Sequence, residues 1–216
     1  LWRRLMKIDN PVTYTKGELE LVDNFIKRDK KNGTDWGDDE FKDIKLSIKN
    51  HYKVEQNYVC PYCAITYPVG HGMAWDIEHI VPKDKKVQFM FEPENLCVAC
   101  KDCNGAKSSK EVLVNPDRRR FPNSSQDYKI IHPHFDFYHE HINAISPGDF
   151  YRPLSEKGEF TIVTCRLLRF YGVVKREQPE QDINDLAKAL IDADGVARKI
   201  LEDELVKRIV NKRNMD

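Results

Sequence analysis

The sequence lacks an excess of charge of either sign, because 35 Lys and Arg residues balance 35 Asp and Glu residues. A chain without net charge has no overall field that draws it to nucleic acid, so any such attraction must be local. It also lacks an apolar run of the roughly 20 residues that cross a bilayer, and its amino terminus lacks the apolar core of a signal peptide. We therefore expect a cytoplasmic protein with no membrane partner.

Hydrophobic residues make up 40% of the 216 positions and charged residues 32%, a balance typical of a folded globular chain rather than a disordered one. Cysteine is scarce, but its spacing is informative. Four of the six cysteines form two C-x-x-C pairs, Cys60 with Cys63 and Cys100 with Cys103. In a reducing compartment such pairs indicate metal binding rather than disulfides.

Two such pairs supply the four thiolates that tetrahedral Zn²⁺ prefers, and a four-cysteine site of this kind is structural because it leaves no open coordination position. The first pair could instead be a redox dithiol, but residues 64–72 are not helix-like as that reading requires. An iron–sulfur cluster on Cys97, Cys100 and Cys103 would need a fourth cysteine followed by proline. We rank both alternatives below zinc and assign Cys97 to the core.

An acid–histidine pair lies between the two cysteine pairs. The order is Cys60-x-x-Cys63, then Glu78-His79-Ile80-x-Pro82, then Asn95-Leu96, and finally Cys100-x-x-Cys103-Asn104-x-x-Lys107. Each part alone is weak, but together they resemble the HNH endonuclease motif in its zinc-stapled form. The resemblance implies a small ββα-metal fold. In it the Glu-His segment ends one strand, Asn-Leu-Cys-Val lies on the next, and a helix begins at Cys100.

The resemblance also implies roles for individual residues. His79 is the candidate general base, since neutral imidazole can take a proton from water near neutral pH. Glu78 and Asn104 are the candidate ligands of a catalytic ion. Glu78 stands where Asp is common, and Asn104 where His is common, so we expect Mg²⁺ or Mn²⁺ rather than a softer metal. Asn95 would pin the loop behind the histidine, and Lys107 would reach a substrate phosphate.

The predicted fold class is α+β, with an HNH core at 58–114, a helical amino-terminal region at 1–57 and a mixed, mainly helical region at 115–216. Hydrophobic periodicity adds the individual elements. Helices are predicted at 16–28, at 41–54, from 101 onward, at 182–192 and at 196–210. Strands are predicted at 75–80, 96–99 and 160–163. The apolar stretch 167–174 fits either a helix or a strand.

Two further segments are open to more than one interpretation. The histidines of 132–141 could form a second metal site, although we favour a structural aromatic segment because a metal site needs matched geometry. The run Arg118 to Arg120 could contact phosphate, but such runs are usually solvated loops.

The layout around the motif, with a helical approach and a long carboxy-terminal extension, resembles the HNH subunits of bacterial anti-phage systems such as Septu. That resemblance implies DNA as the substrate and an ATPase subunit as a partner. The alternatives are a stand-alone restriction-type nuclease and a zinc-stapled binding module without catalysis. The intact set of Glu78, His79 and Asn104 argues against the binding module. The carboxy-terminal helices could dock a partner or pack into the core.

Overall fold

The structure, a computed structural model, describes residues 6–68, 72–170, 186, 190 and 195–213. It is an α+β fold with two small antiparallel sheets. In chain order the elements are α1 (Lys16–Ile26), α2 (Lys42–Glu55), β1 (Trp75–His79), β2 (Leu96–Cys100), α3 (Lys101–Lys107), α4 (Tyr138–His141), β3 (Ile142–Ser146), β4 (Phe150–Pro153), α5 (Glu156–Thr164) and α6 (Gly195–Arg213). None of the helices in these ranges has the length and apolar character needed to cross a membrane.

Both amino-terminal helices occur where the apolar spacing predicts them. Thr15 caps α1 by accepting a hydrogen bond from the Glu18 amide, while the Glu18 carboxylate accepts one from the Thr15 amide. The helix ends at Ile26, two residues before the predicted end. Helix α2 buries three side chains on one face, Ile44, Ile48 and Tyr52. That buried face lies against β1 and β2.

The ββα unit predicted around the cysteine pairs is confirmed. Strands β1 and β2 pair antiparallel, with Trp75 opposite Cys100 and His79 opposite Leu96. All five residues of β2 are buried, and α3 follows it without an intervening loop. The Gln56 side chain at the end of α2 donates to the Val98 carbonyl and accepts from the Val98 amide, both at 2.8 Å. The amino-terminal region is thereby hydrogen-bonded to the central strand.

The strand predicted at 160–163 is wrong, since these residues lie within helix α5. Ser155 caps the helix by accepting a hydrogen bond from the Gly158 amide at 3.1 Å. A β carbon at Gly158 would lie 1.8 Å from the His141 carbonyl oxygen, so the helix approaches that backbone closely. The β-branched run suggested a strand, but the cap and this tertiary contact favour a helix. Strands β3 and β4 were not predicted.

The carboxy-terminal prediction is confirmed where the structure describes it. Helix α6 contains the predicted helix 196–210, whereas most of 182–192 lies outside the described residues. Residues 167–170 form a 3-10 turn, and the rest of the ambiguous stretch 167–174 is likewise outside. Leu186 and Leu201 are buried against Phe150. These two leucines therefore pack into a core. Core packing, rather than docking of a partner, is thus the use that the structure shows for them.

One large hydrophobic cluster connects the chain from Ile8 to Leu167. It includes residues of α1 and α2, the central ββα unit and α5. The site described next is consequently held by packing from residue 8 to residue 167 rather than by the motif segment alone.

Candidate functional site

The four paired cysteines form one cluster. Their sulfur atoms all lie within 4.8 Å of one another, and all four residues are buried. Cys63 Sγ and Cys100 Sγ are 3.8 Å apart. A tetrahedron with Zn–S bonds of about 2.3 Å has sulfur–sulfur edges of about 3.8 Å, so the spacing fits a zinc ion. Local folding explains the approach: Ala64, in the left-handed region, closes the turn after the first pair, and the second pair lies at the junction of β2 and α3.

Arg169 covers this cluster from the 3-10 turn Leu167–Phe170. Its guanidinium donates to Cys103 Sγ at 3.7 Å and to Cys100 Sγ at 3.9 Å, and it pairs with Asp102 at 3.5 Å. A zinc tetrathiolate carries two negative charges, which a guanidinium can partly neutralise. Arg169 was not predicted, because it lies 66 residues after Cys103 and outside the motif.

His79 lies at the end of β1 with only 7% of its surface exposed. Its Nε2 is 3.1 Å from the Met90 carbonyl oxygen. Because a carbonyl can only accept, this contact assigns the proton to Nε2 and leaves Nδ1 with the lone pair. The Trp36 ring meets the imidazole edge to face at 4.6 Å. Burial, followed by the positive charge of Lys83, lowers the pKa of His79 to about 3, so the ring is neutral at neutral pH.

Asn95 is fully buried and holds the loop that follows His79. Its Oδ1 accepts from the Val81 amide at 2.7 Å, and its Nδ2 donates to the Val81 and Phe89 carbonyls at 3.1 and 2.9 Å. Its backbone carbonyl accepts from Ile80 at 2.9 Å. The amide thus contacts backbone only, on both sides of the turn that positions the imidazole.

Lys107 does not lie where the sequence predicts. Its side chain is fully buried, and its ammonium is 2.6 Å from Glu78 Oε1 and donates to the His79 carbonyl at 2.9 Å. It therefore cannot reach a substrate phosphate in this arrangement. The cause is helix geometry: three residues after Asn104, Lys107 faces back into β1, where a buried carboxylate needs a counter-charge. The Tyr62 hydroxyl also donates to Glu78 Oε1, at 3.2 Å, and burial raises the pKa of Glu78.

Asn104 contacts a carboxylate that sequence analysis missed. Its Nδ2 donates to Asp76 Oδ2 at 3.0 Å. Asp76 precedes Glu78 by two residues, so both side chains lie on the same face of β1, toward α3. The alternation of a short strand could have identified Asp76, but the family resemblance drew the prediction to the acid next to the histidine.

These groups meet in a cleft of about 710 Å³ between α2, β1 and α3. The cleft is lined by all three residues proposed for chemistry, Glu78, His79 and Asn104, and also by Asp76 and Trp36. Asn95 and Lys107 lie behind this lining and contact it from within. One base nitrogen and several oxygen donors therefore share a concave, solvent-reaching site.

The histidine-rich segment 132–141 packs as a structural element. His132 is fully buried and stacks on Phe135 with ring centroids 4.1 Å apart. His134 contacts the Leu96 carbonyl at 2.8 Å, and Asp136 pairs with Lys157 at 3.0 Å. In the described ranges the cysteine cluster is the only group of three or more His, Cys, Asp or Glu residues that could hold a metal. The structural interpretation is thus supported over a second metal site.

Comparison with known proteins agrees with this geometry. Residues 60–110 match the family model of the HNH endonuclease. Over 117 residues the chain is 28% identical to the Septu protein PtuB of Bacillus thuringiensis. That alignment covers 52% of this chain and 41% of the relative, so the chain matches less than half of the relative's length. No solved structure matches the chain significantly.

Proposed function

We propose, from the match of residues 60–110 to the HNH endonuclease family model, that the chain is a metal-dependent endonuclease that hydrolyses phosphodiester bonds of DNA. The observation that carries the proposal is the cleft that His79 lines together with the oxygen donors of Asp76, Glu78 and Asn104, while its Nε2 is held by the Met90 carbonyl. A binding module has no need for a base and an oxygen-donor set in one cavity.

In the proposed reaction His79 Nδ1 accepts a proton from the water that attacks phosphorus. The Met90 carbonyl keeps the other ring nitrogen protonated, and Trp36 limits rotation of the ring. Positive charge then accumulates on an imidazole that is partly shielded from water, which favours prompt release of the proton.

The oxygen donors fit a hard divalent cation. Glu78 and Asn104 would hold Mg²⁺ or Mn²⁺, with Asp76 beside them, since carboxylate and amide oxygens are the ligands these ions prefer. When bound, such an ion neutralises charge on the phosphate and on the departing oxygen. Lys107 fixes one oxygen of Glu78, and the amide of Asn104 is oriented by Asp76. Zn²⁺ on the four cysteines would have a purely structural role.

We also propose that the protein serves anti-phage defence in the cytoplasm together with an ATPase subunit. The support is its similarity to the Septu protein PtuB. The lack of net charge is consistent with an enzyme that depends on a partner for delivery to DNA.

The experiment that tests the function is a substrate panel. Purified zinc-loaded protein is incubated with supercoiled plasmid, linear duplex, single-stranded DNA and duplex RNA, each in Mg²⁺, in Mn²⁺ and in EDTA. We expect DNA to be nicked or cut in either metal and to remain intact in EDTA. Cleavage of RNA alone, or DNA cleavage that EDTA does not affect, would contradict the proposal.

A further inference from the structure

Helix α2 presents three lysines, Lys42, Lys45 and Lys49, toward the cleft that contains His79. Their spacing of three and four residues places them on one face of the helix. The chain as a whole has no net charge, so this lysine row is a local concentration of positive charge next to the proposed reaction centre.

The lysine row is held in place by the structure around it. Lys45 donates to the Trp36 carbonyl at 2.9 Å and lies 5.7 Å from the centre of the Trp36 ring, the ring that also contacts His79. Lys49 is partly buried, and the charges of Asp76 and Lys101 act on it. Lys42 is exposed at the start of the helix. The row therefore extends from solvent to the edge of α3.

A second depression, of about 410 Å³, is lined by three cations, Lys101, Arg166 and Arg169, and by one carboxylate, Asp102, which pairs with Arg169 at 3.5 Å. It shares Gly105 with the cleft. A β carbon added at Gly105 would meet nothing within 4 Å, so the junction between the two depressions is open. The lysines of α2 and the cations around Lys101 thus lie on either side of an open junction at Gly105, with Asp102 paired to Arg169.

Three carboxylates share the cleft with the lysine row, and Asp76 is close enough for its charge to act on Lys49. Asp84 pairs with Lys83 at 3.2 Å, and Glu78 pairs with Lys107 at 2.6 Å. Asp76 belongs to the proposed metal site. A long polyanion that lies along α2 would therefore meet lysines first and the metal-binding oxygens only at the reaction centre.

We propose that the lysine row of α2, continued by Lys101, binds backbone phosphates of duplex DNA and lays the duplex across the cleft. The proposal deepens the function proposed above and rests on it. From Lys42 to Lys49 the helix rises about 10 Å, which corresponds to about three phosphates of one strand at about 3.4 Å each along the duplex axis. Contacts of this kind carry no sequence information, so binding is expected to be independent of sequence.

The test measures binding separately from cleavage. Full-length, zinc-loaded protein carrying His79→Ala is titrated onto a fluorescent duplex at several salt concentrations, with anisotropy as the readout. The variant carries Lys42→Gln, Lys45→Gln and Lys49→Gln, which keep most of the side-chain stems. The charge-matched control carries Lys16→Gln, Lys27→Gln and Lys30→Gln, which are exposed residues outside the cleft. Zinc content and melting temperature are compared to confirm that both variants are folded.

We expect the cleft variant to bind about 10- to 100-fold more weakly near 0.1 M salt, and the magnitude of the negative slope of log affinity against log salt to fall by about 2 to 3. The control should match the parent protein. Equal affinity and equal slope for the two variants would overturn the proposal. Wild-type cleavage is assayed separately, so a protein that fails to cut DNA but shows the expected binding loss would refute the nuclease function alone.

Discussion

At the scale of single residues, the hydrogen bond made by one atom of a side chain determines whether its other polar atom can donate or accept. The contact of His79 Nε2 with the Met90 carbonyl assigns the lone pair to Nδ1. The hydrogen bond from Asn104 Nδ2 to Asp76 fixes which end of that amide is the donor. Neither assignment can be made from sequence, because both depend on partners brought in by other segments.

The ion pair of Glu78 and Lys107 provides a first prediction. Lys107→Met leaves a buried carboxylate without its counter-charge, so we expect a loss of about 3 to 5 kcal/mol in the free energy of unfolding. The double variant Glu78→Gln, Lys107→Met should recover much of that loss. Urea unfolding of the zinc-loaded proteins measures both. Equal stability of the single variant and the parent would contradict the burial of this pair.

Asp76 provides a second prediction. Asp76→Asn removes a charge beside the proposed ion and replaces the charged acceptor of the Asn104 amide by a neutral one, so the Mg²⁺ concentration for half-maximal cleavage should rise about 10- to 100-fold. Asp84→Asn is the matched control, because Asp84 lines the same cleft but pairs with Lys83. A similar Mg²⁺ dependence of cleavage in both variants would show that Asp76 does not contribute to the proposed metal site.

The motif spacing predicts Glu78, His79 and Asn104 in one site, because it brings a strand end and a helix start together. Asp76, Trp36 and Arg169 were not predicted, and the predicted direction of the Lys107 ammonium was wrong. Trp36 and Arg169 come from segments far from the motif, and the direction of Lys107 depends on which face of α3 is buried. Such long-range packing has no signature in local spacing.

At the scale of elements, the 3-10 turn Gly33–Gly37 couples the amino-terminal region to the reaction centre by carrying Trp36 to His79. Asn32 caps the turn by accepting from the Thr34 amide at 2.8 Å. The turn packs tightly on the loop after β1, since a β carbon at Gly33 would lie 1.9 Å from Asp84 Oδ1 and 3.0 Å from its α carbon.

A third prediction uses two glycines of this one turn. Gly33→Ala should force the turn away from Asp84, lower stability by about 1 to 3 kcal/mol and reduce cleavage through displacement of Trp36. Gly37→Ala, where an added β carbon meets nothing within 4 Å, should leave both properties nearly unchanged. Thermal unfolding measures the loss of stability, and near-ultraviolet circular dichroism reports the displacement of Trp36. If Gly33→Ala and Gly37→Ala behave alike, the close contact between Gly33 and Asp84 is contradicted.

The elements predicted well are those with a local cause. The apolar stripes of α1 and α2 and the Thr15 capping box are visible in sequence. Helix α5 was mistaken for a strand because a short β-branched run gives no reliable period. Its close approach to His141 at Gly158 becomes apparent only in the folded chain.

At the scale of the whole molecule, the cysteine cluster joins segments that are distant in sequence. It links the turn at Cys60 to the β2–α3 junction, and Arg169 adds the carboxy-terminal region to the same point. The core cluster connects the same regions through apolar contacts. Loss of the metal is therefore expected to affect the entire fold rather than one loop.

A fourth prediction compares two buried cysteines. Cys60→Ser should remove a zinc ligand, lower the bound zinc well below one equivalent and cause cooperative loss of structure at lower temperature. Cys97→Ala changes a thiol that is equally buried but lies outside the cluster, so it should retain zinc. Metal analysis measures the zinc content of both variants, and melting curves measure their thermal stability. Full zinc retention by Cys60→Ser would exclude the cysteine cluster as the zinc site.

The most direct test of the central claim is nicking of supercoiled plasmid in Mg²⁺ by zinc-loaded wild-type protein, with His79→Ala and His51→Ala assayed in parallel. His51 contacts the Asn10 carbonyl outside the cleft and serves as the matched control. We predict metal-dependent nicking by the wild type and by His51→Ala, and loss of at least about 100-fold in rate for folded, zinc-loaded His79→Ala. Full activity in His79→Ala would contradict the assignment of this histidine as the general base.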